Sequence, residues 1–199
     1  MKIALVHDYL NQYGGGERVL ETLMEMFPDA PVYTLMYDEA ATRGKFRGRV
    51  RGTSFLDFPF SRHHHRLFIP LMPLAVRAMT LGDDYDLIIS DSAGFAKGIV
   101  ARTDADLTGT YADKRRIRHI SYIHTPLRYA WEQSEYLRGL ISNFQLLISK
   151  PLLNYLKRWD YRAAQRPDAL IANSRFIAGK IRRYYGREAE VIYPPVDTA

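Results

Sequence analysis

"KIALVHDYLNQYGGGERVLETL", from Lys2 to Leu23, decides the fold. Its first seven residues form a short apolar run ended by His7 and Asp8, the pattern of a strand buried on both faces. Three consecutive glycines follow, and then Val19, Leu20, Leu23, Met24 and Phe27 recur at helical spacing until Pro28 stops them. Strand, glycine loop and helix in that order mark the opening of an α/β unit. Glycine has no Cβ, so the run lets the main chain turn tightly and approach a guest. A helix N-terminus beside such a loop favours an anion. The alternative is a plain tight connection. Neither the dinucleotide fingerprint G-x-G-x-x-G nor the Walker pattern G-x-x-x-x-G-K-[ST] is present.

The same alternation continues downstream. "APVYTLMY" (Ala30–Tyr37), "RVRGTSF" (Arg49–Phe55), "YDLIISDS" (Tyr85–Ser92), "RHISYIHTP" (Arg118–Pro126), "DALIANS" (Asp168–Ser174) and "AEVIYPPVD" (Ala189–Asp197) read as strands. Helices are expected over roughly 146–165, with Pro151 at a start or break, and over "RFIAGKIRRYYG", capped by Asn173-Ser174 and ended by Gly186. The expected fold is a Rossmann-like open, mainly parallel sheet with helices on both faces. Such sheets bind ligands beyond the carboxyl ends of their strands. That rim gathers His7-Asp8, Gly14 to Gly16, Ser90-Asp91-Ser92, His124-Thr125 and Asn173-Ser174.

The chain has 199 residues, 47% hydrophobic and 25% charged, with no cysteine, so disulfides and thiolate metal sites are excluded. Lys2 leads directly into a strand pattern without a signal-peptide layout, and the expected location is cytoplasmic. The longest apolar stretch, around 67–76, is broken by Pro70 and Pro73 and is too short to span a bilayer. A formal charge of +6 favours anionic partners. Arg47, Arg49 and Arg51 alternate and would share one strand face, as an anion contact or as a solvated edge. "RHHHR" (Arg62–Arg66) is a poor metal site, because neighbouring histidines point apart. Flanked by "FLDFPF" and "LFIPLMP", it reads either as a segment lying on anionic lipid, with Arg62 and Arg66 as contacts, or as a half-buried helix with a basic outer face. No nucleic-acid recognition motif occurs. "DDYD" (Asp83–Asp86) reads as a surface turn, and "DSAG" lacks the first glycine of a hydrolase elbow.

Glu17 opens the first helix, where it can complement the dipole and also accept hydrogen bonds from a sugar hydroxyl. His124 ends a strand on the rim and is the candidate catalytic residue; His119 is structural. Tyr122, Tyr129 and Trp131 offer either stacking planes or core.

"YGGGERVLETL", "YIHTPLRYAWE" and "WDYRAAQRPDALIANSRFIAGKIRRYYGREAEVIYPPVD" together resemble the N-terminal half of a family-4, GT-B-fold glycosyltransferase. They are most similar to bacterial mannosyltransferase-like members that build surface polysaccharide. The resemblance runs from Lys2 to Asp197. It implies a nucleotide sugar as donor, a glycan or lipid-linked acceptor, retention of anomeric configuration, and no metal or other cofactor. It implies that Gly14, Gly15 and Gly16 line the cleft with Glu17 at the helix start, that His124 contacts the donor sugar, and that Ser174 and Arg175 face the cleft; Asp8, from its place on the rim, is a further candidate for substrate binding. It also implies an acceptor-side domain over 1–193, and a linker from 194 to a C-terminal donor domain carrying the family's paired glutamates. Without that second domain the 199 residues are expected to be inactive alone. The rival expectation is a non-enzymatic anion- or membrane-binding module.

Overall fold

The computed structural model describes residues 1–81, 85–100, 117–132 and 150–196. Strand β1 (Ile3–His7) is buried along its whole length. Its alternate residues serve two cores: Ala4 and Val6 enter one apolar cluster, Ile3 and Leu5 the other. That is the two-residue period of a strand covered on both sides. Burying a leucine such as Leu5 contributes about 2 kcal/mol.

After the glycines comes helix α1 (Gly15–Met26), which lays Leu20 into the second cluster. Strands β2 (Val32–Thr34) and β3 (Val50–Thr53) follow, shorter than the stretches that predicted them. A short helix α2 (Pro59–His63) leads through a 3₁₀ segment (His65–Leu71) into α3 (Met72–Ala78). Strand β4 (Leu87–Ser92) and strand β5 (Arg118–Ile123) sit mid-sheet. Helix α4 (Arg128–Trp131), helix α5 (Lys150–Ala164), strand β6 (Ala169–Ala172), helix α6 (Arg175–Tyr185) and the two-residue strand β7 (Glu190–Val191) complete the order. Pro151 stands in the first turn of α5, where its missing N–H costs nothing. Ser174 caps α6, and Gly186 ends it in the left-handed conformation (φ 64°), as the sequence predicts.

Among the described residues seven strands pair in parallel, in the order β3-β2-β1-β4-β5-β6-β7. The chain builds outward from β1 to β2 and β3, then returns to the other side of β1 with β4. The order therefore reverses between β1 and β4, and a crevice opens above their carboxyl ends. This is a Rossmann-like α/β fold.

One sequence reading fails here. Arg47, Arg49 and Arg51 do not share a strand face, because Gly48 between the first two is left-handed (φ 73°) and β3 begins only at Val50. Arg47 pairs with Glu39, and Arg49 donates to the carbonyls of Phe27 and Ala30 at 3.1 and 2.8 Å. Arg51 alone lies exposed on the edge strand. Asp86 receives the Lys2 backbone N–H at 2.8 Å, while Asp83 and Asp84 lie outside the described residues.

Candidate active site

Parallel register sets the site. His7 at the end of β1 stands directly beside Asp91 of β4, and Ser92 beside Ile123 of β5, so the next residue, His124, emerges over the same crevice. Asp91 is fully buried and takes both histidines. His7 Nδ1 lies 2.9 Å from one carboxylate oxygen and His124 Nε2 2.5 Å from the other. On its far side His7 Nε2 is 3.8 Å from Glu17. Glu17 in turn receives the Gly14 backbone N–H at 2.8 Å, as an acid three residues into a helix does. A continuous chain thus runs from the glycine loop through Glu17, His7 and Asp91 to His124.

Two carboxylates around one imidazole decide its charge. Burial pushes His7 toward the neutral form, but hydrogen bonds and charge from Asp91 and Glu17 overcome it and raise its pKa to about 10. His7 is therefore a cation at neutral pH. Burial works against the ionised forms of Asp91 and Glu17, and the histidines outweigh it, holding both below the usual carboxylate range. Burial lowers the His124 pKa, while the charge and hydrogen bond of Asp91 raise it by more. With Nε2 given to Asp91, Nδ1 of His124 has no hydrogen-bond partner among the described residues. Its side chain retains 15% exposure.

A cleft of about 700 Å³ opens above this chain, the size of a small-molecule site. Gly14, Gly15 and Gly16 form one wall, and Pro194 and Pro195 another. None of the three glycines has a positive φ, so tight turning is not why they are there. A side chain would fit at two of them. A Cβ on Gly15 would meet nothing within 4 Å, and one on Gly16 would stand 3.6 Å from His7 and 3.7 Å from His124. Bare backbone keeps the approach to His124 open.

Several predicted residues take other duties. Asp8 borders the cleft, yet its carboxylate accepts the N–H groups of Ala93 and Phe95, each at 2.8 Å, and of Ala96 at 2.5 Å, which anchors the loop after β4. Glu17 lines the cleft but is 4% exposed, and its carboxylate caps Gly14 and pairs with His7. Ser174 is spent on the α6 cap and on Asn173, and neither it nor the exposed Arg175 lines the cleft. Their neighbours Asn173 and Phe176 do. Arg62 pairs with Asp57 at 2.7 Å. Tyr122 and Trp131 belong to the interior: Tyr122 donates to the Ile192 carbonyl, and Trp131 stacks on Tyr184. Tyr129 packs against the first apolar cluster. His119, at the other end of β5, is held at 2.8 Å to Ser90. Among the described residues no three histidine or acidic side chains converge as a metal site, the 62–66 segment included.

Sequence reading missed His7 and Asp91 as site residues, although it placed both on the rim. It also passed over Arg18, Arg128 and Lys180, which bring positive charge to the cleft. Lys180 is paired with Glu132. Behind the site lies a second unpredicted group: Lys97 and Asp160, both wholly buried, pair at 2.6 Å, and Asp160 also accepts from Trp131 and Tyr185, each at 2.7 Å.

Fold and cleft define a Rossmann-like domain with a charged, small-molecule-sized site at the reversal of strand order. The family model for Glycosyltransferase Family 4 matches residues 13–199, and the chain belongs to that family. Among solved structures it resembles the crystal structure of Anabaena Alr3699/HepE in complex with UDP, with 18% identity and a TM-score of 0.55. The match covers 99% of this chain and 45% of that one, so the chain spans under half the length of its structural neighbour. No curated protein matches it.

Proposed function

We propose that the chain forms the N-terminal, acceptor-side part of a nucleotide-sugar-dependent glycosyltransferase. The reading assigns residues 1–193 to this domain and takes the chain from Pro194 as the passage into a donor-binding domain. The whole protein would transfer a hexose, with mannose the first candidate, to a polysaccharide or lipid-linked hydroxyl with retention of configuration. Work at the cytoplasmic side and no cofactor beyond the donor belong to the same reading. Family membership supports the transfer chemistry, and UDP in the HepE structure is consistent with a nucleotide-bearing donor.

The observation that carries the proposal is His124, fixed by Asp91 and open to the cleft beside a side-chain-free helix N-terminus. Departure of a nucleoside diphosphate puts negative charge near the reacting carbon. A protonated His124 donates one N–H to Asp91 and offers the other, from Nδ1, to a sugar or phosphate oxygen. First-turn N–H groups of α1 add positive potential at the same place. Preorganised donors of this kind are worth roughly a hundredfold in kcat apiece.

The test is release of nucleoside diphosphate from a panel of nucleotide sugars by the intact protein, with His124→Ala alongside. Release from at least one donor, falling about a hundredfold in kcat in the variant, is expected. Unchanged kcat in the variant removes His124 from the chemistry. No release from any donor, with vesicle binding retained, would favour the non-enzymatic module instead.

A further inference from the structure

The flank of the domain carries a second charged surface that shares no residue with the cleft. On α5, Asn154, Tyr155, Arg158 and Arg162 are three, four, seven and eleven residues past Pro151 and so lie on one helix face. All are exposed. Facing them across a hollow of about 720 Å³ are Leu74 and Arg77 of α3, with Arg166 just beyond α5. Among the described residues four arginines border this hollow, and no acidic residue does. Arg77, Arg158 and Arg162 make no ion pair among the described residues. Arg166 donates to the Gly98 carbonyl at 2.9 Å. Burial, and then the charge of Arg77, lower its pKa.

Large apolar side chains accompany these cations. Leu74 is 56% exposed, Leu71 45%, Leu67 44%, Phe60 55% and Tyr155 45%. They come from α2, the 3₁₀ segment, α3 and α5; the last three cover one face of the sheet, and α2 packs against the 3₁₀ segment. Exposed apolar groups of this kind, beside arginines that have no acidic partner among the described residues, match a surface with negative charge outside and hydrocarbon beneath. A soluble phosphate would satisfy the arginines and leave the leucines in water. Single-stranded nucleic acid wants stacked aromatic planes, and it too would leave the three exposed leucines in water.

We infer that the α3–α5 flank docks on an anionic lipid bilayer. Arg77, Arg158 and Arg162 meet lipid phosphates while Leu71, Leu74 and Tyr155 enter the headgroup boundary. The cations that bind are thus largely different from those the sequence suggested, because Arg47, Arg49 and Arg62 are engaged within the protein. The inference stands independently of sugar transfer, since it uses none of the cleft.

The experiment is sedimentation of the intact protein with phosphatidylcholine vesicles containing about 30% phosphatidylglycerol, and with phosphatidylcholine alone. An arginine near such a surface contributes about fivefold, so the triple change Arg77→Gln, Arg158→Gln, Arg162→Gln should weaken binding roughly a hundredfold. The three side chains are exposed, and an unchanged circular dichroism spectrum will confirm that the variant folds. Leu74→Ser should weaken binding with every charge kept. Equal binding to both vesicle types, or undiminished binding by the triple variant, overturns the inference. Complete displacement by millimolar inorganic phosphate or by RNA also overturns it, in favour of a soluble anion.

Discussion

Asp91→Asn is the perturbation that asks most of the charge chain. The carboxylate is fully buried and touches two imidazoles at 2.9 and 2.5 Å. The substitution keeps the shape and removes the charge. His7 then has only Glu17, 3.8 Å away, to hold its proton. Breaking a buried pair by removing one partner costs about 3–5 kcal/mol. We expect about 3 kcal/mol at pH 7, because Glu17 remains. The sign of the pH dependence follows from His7, whose folded pKa of about 10 lies above the ordinary 6.5. Its stabilisation is complete below pH 6.5 and is lost as pH rises toward 10, at up to about 1.4 kcal/mol per pH unit. His124, raised in the same direction, adds to this loss. Urea unfolding of wild type and variant at pH 7, 8.5 and 10 measures both effects. The variant should be less stable at pH 7, and its disadvantage should shrink toward pH 10. A loss under about 1 kcal/mol at pH 7, or a gap that does not narrow with pH, refutes a charged His7–Asp91 pair.

Three further outcomes test the frame around the site. A Cβ on Gly98 would stand 2.5 Å from the Trp159 ring, so Gly98→Ala should cost about 1–3 kcal/mol in urea unfolding. Lys97→Met leaves Asp160 charged, buried and unmatched, and should cost about 3–5 kcal/mol; adding Asp160→Asn, which removes the charge and keeps an acceptor for Trp131 and Tyr185, should recover much of it, as a thermal melt will show. Burial is the main cause holding His119 neutral, with a pKa of about 4. The unfolded chain alone binds that proton between pH 6.5 and 4, so stability falls as pH drops across this window, by roughly 3 kcal/mol in all. His119→Gln should flatten that acid limb.

The fold was legible because its signals are local. Strand β1 shows as an unbroken apolar run, the helix after it as a 3.6-residue period, and the end of α6 as Gly186. Strand ends were less so: β2 keeps three of the eight residues in its stretch, and beyond it the pairing with the chain after β1 becomes irregular, Leu35 donating to the Asp8 carbonyl and Met36 accepting from Leu10. His124 and the glycine loop could be found because both flank strand ends. His7 and Asp91 could not be joined from sequence, as their contact depends on which strand lies beside β1 and in what register. The partners of Asp8 were hidden in the same way. Its place on the rim is as expected, but three backbone N–H groups from a loop some 85 residues away claim its carboxylate. The Lys97–Asp160 pair left no trace in sequence, because a lone lysine and a lone aspartate ordinarily sit in water.

The central claim is that a ligand reaches His124 across the bare backbone of residues 14–16, and Gly16→Ala tests it most directly. The new methyl group meets His7 and His124 at ordinary contact distance, so the fold should survive, gaining up to about 1 kcal/mol from alanine's better helix propensity. Calorimetric titration of the intact protein with the nucleotide sugar it turns over should then show affinity reduced about tenfold or more, beside an unfolding midpoint no lower than wild type. Undiminished affinity in a folded variant would place the ligand elsewhere and contradict the account.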